Sequence, residues 1–178
     1  MTRIAFDTTA LSHFSRAERL GALEEITAGD ECLLLAEVMA ELVKGVAAYP
    51  SLGTVSAESW LQPTELKELK ELAAFARYKG ELGGGPERNN GEAAVLAWVN
   101  VNGGIAIIDE EVGRNIGVRD GLKVHGSLWL VIRGFKSSVL DRATAERIVD
   151  DLIDTEMRLP VSSGADLFTW AYNEGLLL

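Results

Sequence analysis

An α/β fold with a central parallel sheet is predicted by three features of the sequence. Short apolar segments alternate with longer amphipathic ones. Two of the apolar segments, Arg3-Ile4-Ala5-Phe6-Asp7 and Ile105-Ala106-Ile107-Ile108-Asp109, end in an acid. Glycines and cap-type residues punctuate the boundaries between segments. Apolar runs without alternation mark strands buried on both faces, and intervening helices supply the cover. The expected architecture is a three-layer α/β/α sandwich, and the length of 178 residues suits one domain over residues 1–178.

The elements follow in order. Residues 3–7 read as a buried strand; Thr8, Thr9 and Ser12 then open a helix reaching about Leu20, with a second short helix over 21–27. Cys32 to Ala36 is the next strand and leads into a helix from Glu37 that stops at Gly45. Residues 50–53 form a loop and 55–61 a short strand. Pro63 and Thr64 start a charged helix through Tyr78, its apolar face carried by Leu66, Leu69, Leu72, Ala73 and Ala76. Gly83-Gly84-Gly85-Pro86 breaks the chain. A helix over 87–102, the strand 105–109, a helix over 110–119 and a strand over 122–125 come next. Helices over 127–135, 141–155 (capped by Asp141) and 162–174 complete the chain. There is no internal repeat and no low-complexity tract.

Composition narrows the function. A single cysteine, Cys32, forms no internal disulfide and fits a reducing cytoplasm. No secretory leader and no membrane-spanning run is expected. The formal charge of -10 argues by itself against nucleic acid, because phosphate binding usually shows as a basic surface. Carboxylates gathered at a cation site reverse that logic, since the metal then attracts phosphate.

The chemistry-bearing candidates are acids. In an open α/β sheet, ligands bind beyond the carboxyl ends of the strands where the strand order reverses. If the strands ending at Asp7 and Asp109 are neighbours, their carboxylates face one crevice. Each also has a plain reading as a helix N-cap. Glu92 stands near the start of a helix otherwise made of Ala, Val and Leu, where first-turn dipole complementarity is the alternative. Glu37 and Glu41 share a helix face; Glu37 is read as solvated and Glu41 as a site candidate. Such oxygen donors suit Mg²⁺ or Mn²⁺. Two histidines and one apolar cysteine do not suggest zinc. The glycine run lacks the Gly-Lys-Ser/Thr of a phosphate loop, and no Gly-x-Ser-x-Gly elbow is present. A phosphatase of the haloacid-dehalogenase type would want an acid where Thr9 stands.

The order of these motifs resembles the PIN-domain family, in its VapC-like, predicted nucleic-acid-binding branch. Ile4-Ala5-Phe6-Asp7-Thr8-Thr9-Ala10-Leu11 is similar to its first strand, Val38-Met39-Ala40-Glu41-Leu42 to its V-x-x-E-L helix, and Gly91-Glu92-Ala93-Ala94-Val95 to its G-E-A helix start. Ile107 to Arg114, continuing through Gly121 to Leu128, is similar to the branch's D-D-x-x-A-R and G-L-x-V-x-G-T-L. The resemblance implies the sandwich fold, a divalent metal and RNA cleavage, with Asp7, Glu41, Glu92 and Asp109 as catalytic metal-site residues. It implies Glu110 as a further metal ligand in place of the family's second Asp. Thr9 and Arg114 match supporting positions, Arg114 with a structural role first. Gly113 stands where Ala is usual and Trp129 where Gly is common, changes expected to touch packing more than chemistry. The resemblance further implies an RNA substrate, frequent homodimers and, for many members, a toxin held by an antitoxin protein. The competing reading is a PIN-like binding module without efficient catalysis.

Overall fold

The computed structural model describes residues 1–177. Five parallel strands form one sheet: β1 (Arg3–Phe6), β2 (Glu31–Leu35), β3 (Leu61–Thr64), β4 (Ile105–Ile107) and β5 (Lys123–His125), in the order β3-β2-β1-β4-β5. Helices cover it: α1 (Thr8–Arg16), α2 (Leu20–Ile26), α3 (Ala36–Gly45), α4 (Leu69–Leu82), α5 (Asn90–Asn102), α6 (Glu111–Arg119), α7 (Ser127–Lys136), α8 (Arg142–Asp154) and α9 (Leu167–Asn173). This is the α/β/α sandwich. The buried apolar residues of sheet and helices join in one core. Ile4, Ala5 and Phe6 are fully buried, as a strand covered on both faces requires. No helix among the described residues is long and apolar enough to cross a membrane.

The chain order places the site. From β1 the chain moves outward to β2 and β3, then crosses back through α5 to β4 on the other side of β1. The order therefore reverses between β1 and β4, which pair in register at Phe6 and Ile107. The ladder runs one step further, where the Asp7 N–H donates to the Ile107 carbonyl at 3.0 Å. Asp7 and Asp109 thus leave neighbouring strands at the same edge, where the crevice of such sheets lies.

Several boundaries differ from those read in the sequence. Helix α1 stops at Arg16 rather than near Leu20. The strand expected over 55–61 is instead a 3₁₀ helix, Pro50–Ala57, followed by β3. Pro50 suits the first turn of a helix. Pro63 lies in β3, not at a helix start, because an edge strand tolerates the missing N–H. Helix α4 begins only at Leu69, where Glu68 and Glu71 form a reciprocal capping box. Its apolar face is also different. Leu69 is 84% exposed, and the buried positions are Glu71, Ala74 and Tyr78. Glu71 is held inside by its bonds: it accepts from the backbone of Lys67 and Glu68 and from the Asn102 amide. Helix α5 starts three residues later than expected, because Asn89 takes a left-handed conformation at φ 59°. The closing helix splits into a 3₁₀ turn, Gly164–Asp166, and α9. Asp141 caps α8 as expected, accepting from the Thr144 N–H at 2.7 Å.

Candidate functional site

A crevice of about 470 Å³ opens at the carboxyl edge of the sheet. Asp7, Thr9, Glu41, Glu92 and Glu110 line it, together with Thr8, Asn89, Arg88 and Arg158. Asp109 stands one residue before Glu110 and lines the adjoining cavity instead. The sheet edge brings all five acids into one region, but they differ in what holds them.

Asp7 is 4% exposed at the first turn of α1, yet its side chain makes no capping hydrogen bond. The plain N-cap reading therefore does not apply to it. Burial, then the charge of Glu92, with smaller contributions from Glu41 and Asp109, hold its carboxyl well above the ordinary range, and the Thr8 N–H opposes the rise. Glu92 is 6% exposed, and its Oε1 is buried without a hydrogen-bond partner. Burial, with Glu110 and Glu41 nearby, pushes it up to about 7. A buried carboxylate oxygen without a partner is costly, and Glu71 shows how this fold satisfies a buried acid when structure alone is served. Glu110 begins α6 without a side-chain cap bond and is exposed on the crevice rim.

Glu41 and Asp109 are fully engaged by the protein. Glu41 Oε1 accepts the N–H groups of Asn90 and Gly91 at 2.9 and 3.0 Å, and Oε2 accepts the Thr8 hydroxyl. It anchors the start of α5, the helix that carries Glu92, to the start of α1. Gly91 is needed there: a Cβ would lie 2.6 Å from Thr8 Oγ1 and 2.8 Å from Glu41 Oε2. Asp109 accepts from the Ser127 N–H and hydroxyl, both at 2.7 Å, and so holds the first turn of α7. Burial raises its carboxyl, and the two Ser127 bonds and Arg114 oppose the rise. Arg114 donates to the Asp109 backbone carbonyl.

Two sequence readings need correction. Glu37 is not a wholly solvated neighbour: it is half-buried, and its Oε2 is enclosed without a hydrogen-bond partner. Gly113 concerns the site as well as packing. A Cβ at Gly113 would sit 1.7 Å from Glu92 Oε1 and 2.6 Å from its Cδ, so the missing methyl is the space the Glu92 carboxylate occupies. Thr8, Ser127, Arg88 and Arg158 were not among the site residues read in the sequence. Ser127 carried a readable signal, a hydroxyl at a strand-to-helix junction. The two arginines carried none, since neither belongs to a motif; both are exposed and neither pairs with a carboxylate among the described residues.

Among the described residues, no three Asp, Glu, His or Cys side chains lie close enough to enclose an ion by themselves. The donors still fit a partly hydrated hard cation. They are all oxygens, Glu92 Oε1 is unclaimed by the protein, Asp7 caps no helix, and Mg²⁺ needs only one or two carboxylates while keeping several waters.

The five-stranded parallel sheet and the carboxylates at its switch point define an α/β/α domain of the PIN type. The chain belongs to this family: the model of DUF3368, described as a PIN domain, matches residues 3–167. PIN domains are in general nucleases that act on nucleic acids, typically with divalent metals. No curated protein and no solved structure matches the chain.

Proposed function

We propose that this protein is a divalent-metal-dependent endoribonuclease in which residues 1–178 act as one domain. The observation that carries the reading is the pair Asp7 and Glu92. Both are buried at the switch point, both are shifted toward the protonated form, and Glu92 keeps one oxygen without a protein partner. Perturbed acids in a crevice are the mark of a functional site rather than of folding alone.

Asp7 and Glu92 would hold Mg²⁺ or Mn²⁺, with Glu110 reaching from the rim. A cation there supplies an activated water and stabilises the leaving oxygen of a phosphodiester. The remaining residues prepare the site. Glu41 ties α5 to α1 and so fixes the relative placement of Glu92 and Asp7. Asp109 sets the start of α7 through Ser127. Thr9 adds a hydroxyl to the crevice wall, and Arg88 and Arg158 supply the positive charge that a phosphodiester backbone needs against an otherwise acidic surface. The similarity to VapC-like sequences extends this reading to the toxin of a toxin–antitoxin pair, for which a basic antitoxin segment would suit the acidic surface.

The test is cleavage of structured and unstructured RNA by the purified chain with Mg²⁺, with Mn²⁺ and with a chelator. Cleavage with either ion and none with the chelator is expected. RNA binding without cleavage under all three conditions would replace this reading with the binding-module one.

A further inference from the structure

Beside the carboxylate crevice lies a second, larger cavity of about 640 Å³ that the proposed chemistry does not use. The two are continuous in their lining, because Glu110 and Arg158 belong to both. One part of the larger one's wall is aromatic, and the carboxylates of Asp109, Glu110, Glu111 and Glu174 line the rest together with Arg114 and Arg158. His125 and Trp129 stand as a stacked pair, with ring centroids 4.2 Å apart and planes 5° from parallel. Trp170 and Pro160 line the same space. All three rings are half-buried, so each keeps part of its surface open. His125 titrates below the ordinary histidine range because it is buried, so its ring is neutral at neutral pH.

We infer that this cavity is a base-binding subsite, which takes one unpaired nucleobase of a single-stranded RNA next to the phosphodiester held in the carboxylate crevice. The inference rests on the nuclease reading for its ligand class. It draws on three independent features. The volume falls in the range of small-ligand pockets, about 300–1,000 Å³. A preassembled stack of flat rings offers a further ring a face to stack on, and single-strand binders combine such platforms with cations that track the backbone. Arg158 is that cation, placed at the junction of cavity and crevice. The formal charge of -10 adds a reason. A protein this acidic gains little from general attraction to phosphate, so stacking must carry much of its hold on RNA.

The test compares two oligonucleotides of equal length, one ordinary single-stranded RNA and one carrying abasic sites. Both are titrated against the intact protein with Ca²⁺ present to neutralise the carboxylates, and each oligonucleotide is checked for integrity afterwards. Tryptophan fluorescence and anisotropy of a labelled strand report binding. The abasic strand is expected to bind roughly tenfold or more weakly. Trp170→Ala should weaken the ordinary strand by a similar factor and leave the abasic one unchanged, and Trp170→Phe should restore binding. Circular dichroism confirms folding of each variant. Equal affinity of the wild type for both strands would overturn the subsite, as would Trp170→Ala binding the ordinary strand like wild type. Failure of the nuclease reading looks different. Base-dependent binding would then persist while no metal supports cleavage, and the subsite would stand in a binding module.

Discussion

Glu92→Gln is expected to abolish the proposed RNA cleavage and, in the metal-free protein, to raise stability above neutral pH. The two effects have one cause. Glu92 is buried among Glu110 and Glu41, with an oxygen that the protein leaves unpartnered. Its charge is useful only to a cation, so removing it costs the reaction orders of magnitude. Without a cation the same charge destabilises the fold. The folded protein binds a proton at Glu92 between the ordinary value of 4.5 and about 7, whereas the unfolded chain does not. Stability from this group is therefore complete below pH 4.5, falls as pH rises, and is gone above about 7. The shift is worth on the order of 3 kcal/mol. His13 works in the opposite sense: burial, with Arg16 adding, lowers it from 6.5 to about 4, so its contribution grows with pH across that range. The difference between wild type and Glu92→Gln isolates Glu92. Urea melts of both proteins in chelator should give a gap that widens from pH 5 to pH 8, and Mn²⁺ should narrow it by stabilising only the wild type. A constant gap across that range, with no response to Mn²⁺, would remove Glu92 from the proposed cation site.

Gly113→Ala is expected to lose about a hundredfold in cleavage while the protein stays folded, since a shift near 1 Å at a reacting centre has that scale. A Cβ at Gly113 would meet Glu92 Oε1 at 1.7 Å, far inside any allowed contact, so the carboxylate must move. That displacement removes it from the place beside Gly113 that it occupies. Mn²⁺ affinity, measured by calorimetry, should fall with activity. Unchanged cleavage and unchanged metal affinity would mean that the position of Glu92 is not critical.

How much of this was legible beforehand is clearest from these residues. The strand-end acids Asp7 and Asp109, and Glu92 on its apolar background, stood out because burial makes a carboxylate expensive and therefore conspicuous. The pattern β-strand, acid, helix also gave the parallel sheet and its layers. Their division of labour was not legible. Nothing in the spacing tells that Glu41 and Asp109 spend both oxygens on helix starts while Glu92 keeps one unpartnered, since that depends on tertiary contacts between segments up to about fifty positions apart. Helix α4 misled for a related reason. Its leucines imitate an apolar face, but the box formed by Glu68 and Glu71 and the pairing of Tyr78 with Asp120 rotate another face inward. Gly113 read as a change of packing more than of chemistry because a missing methyl leaves no trace in sequence of what fills its space.

The account depends most on Asp7, the buried acid at the switch point whose side chain caps nothing. Asn at this position keeps the size and loses the charge that holds a hard cation. RNA cleavage by Asp7→Asn, measured at fixed Mg²⁺ and at fixed Mn²⁺ with circular dichroism on the same sample, should fall by orders of magnitude in a folded protein. A folded Asp7→Asn variant that cleaves RNA at the wild-type rate would contradict the proposed site.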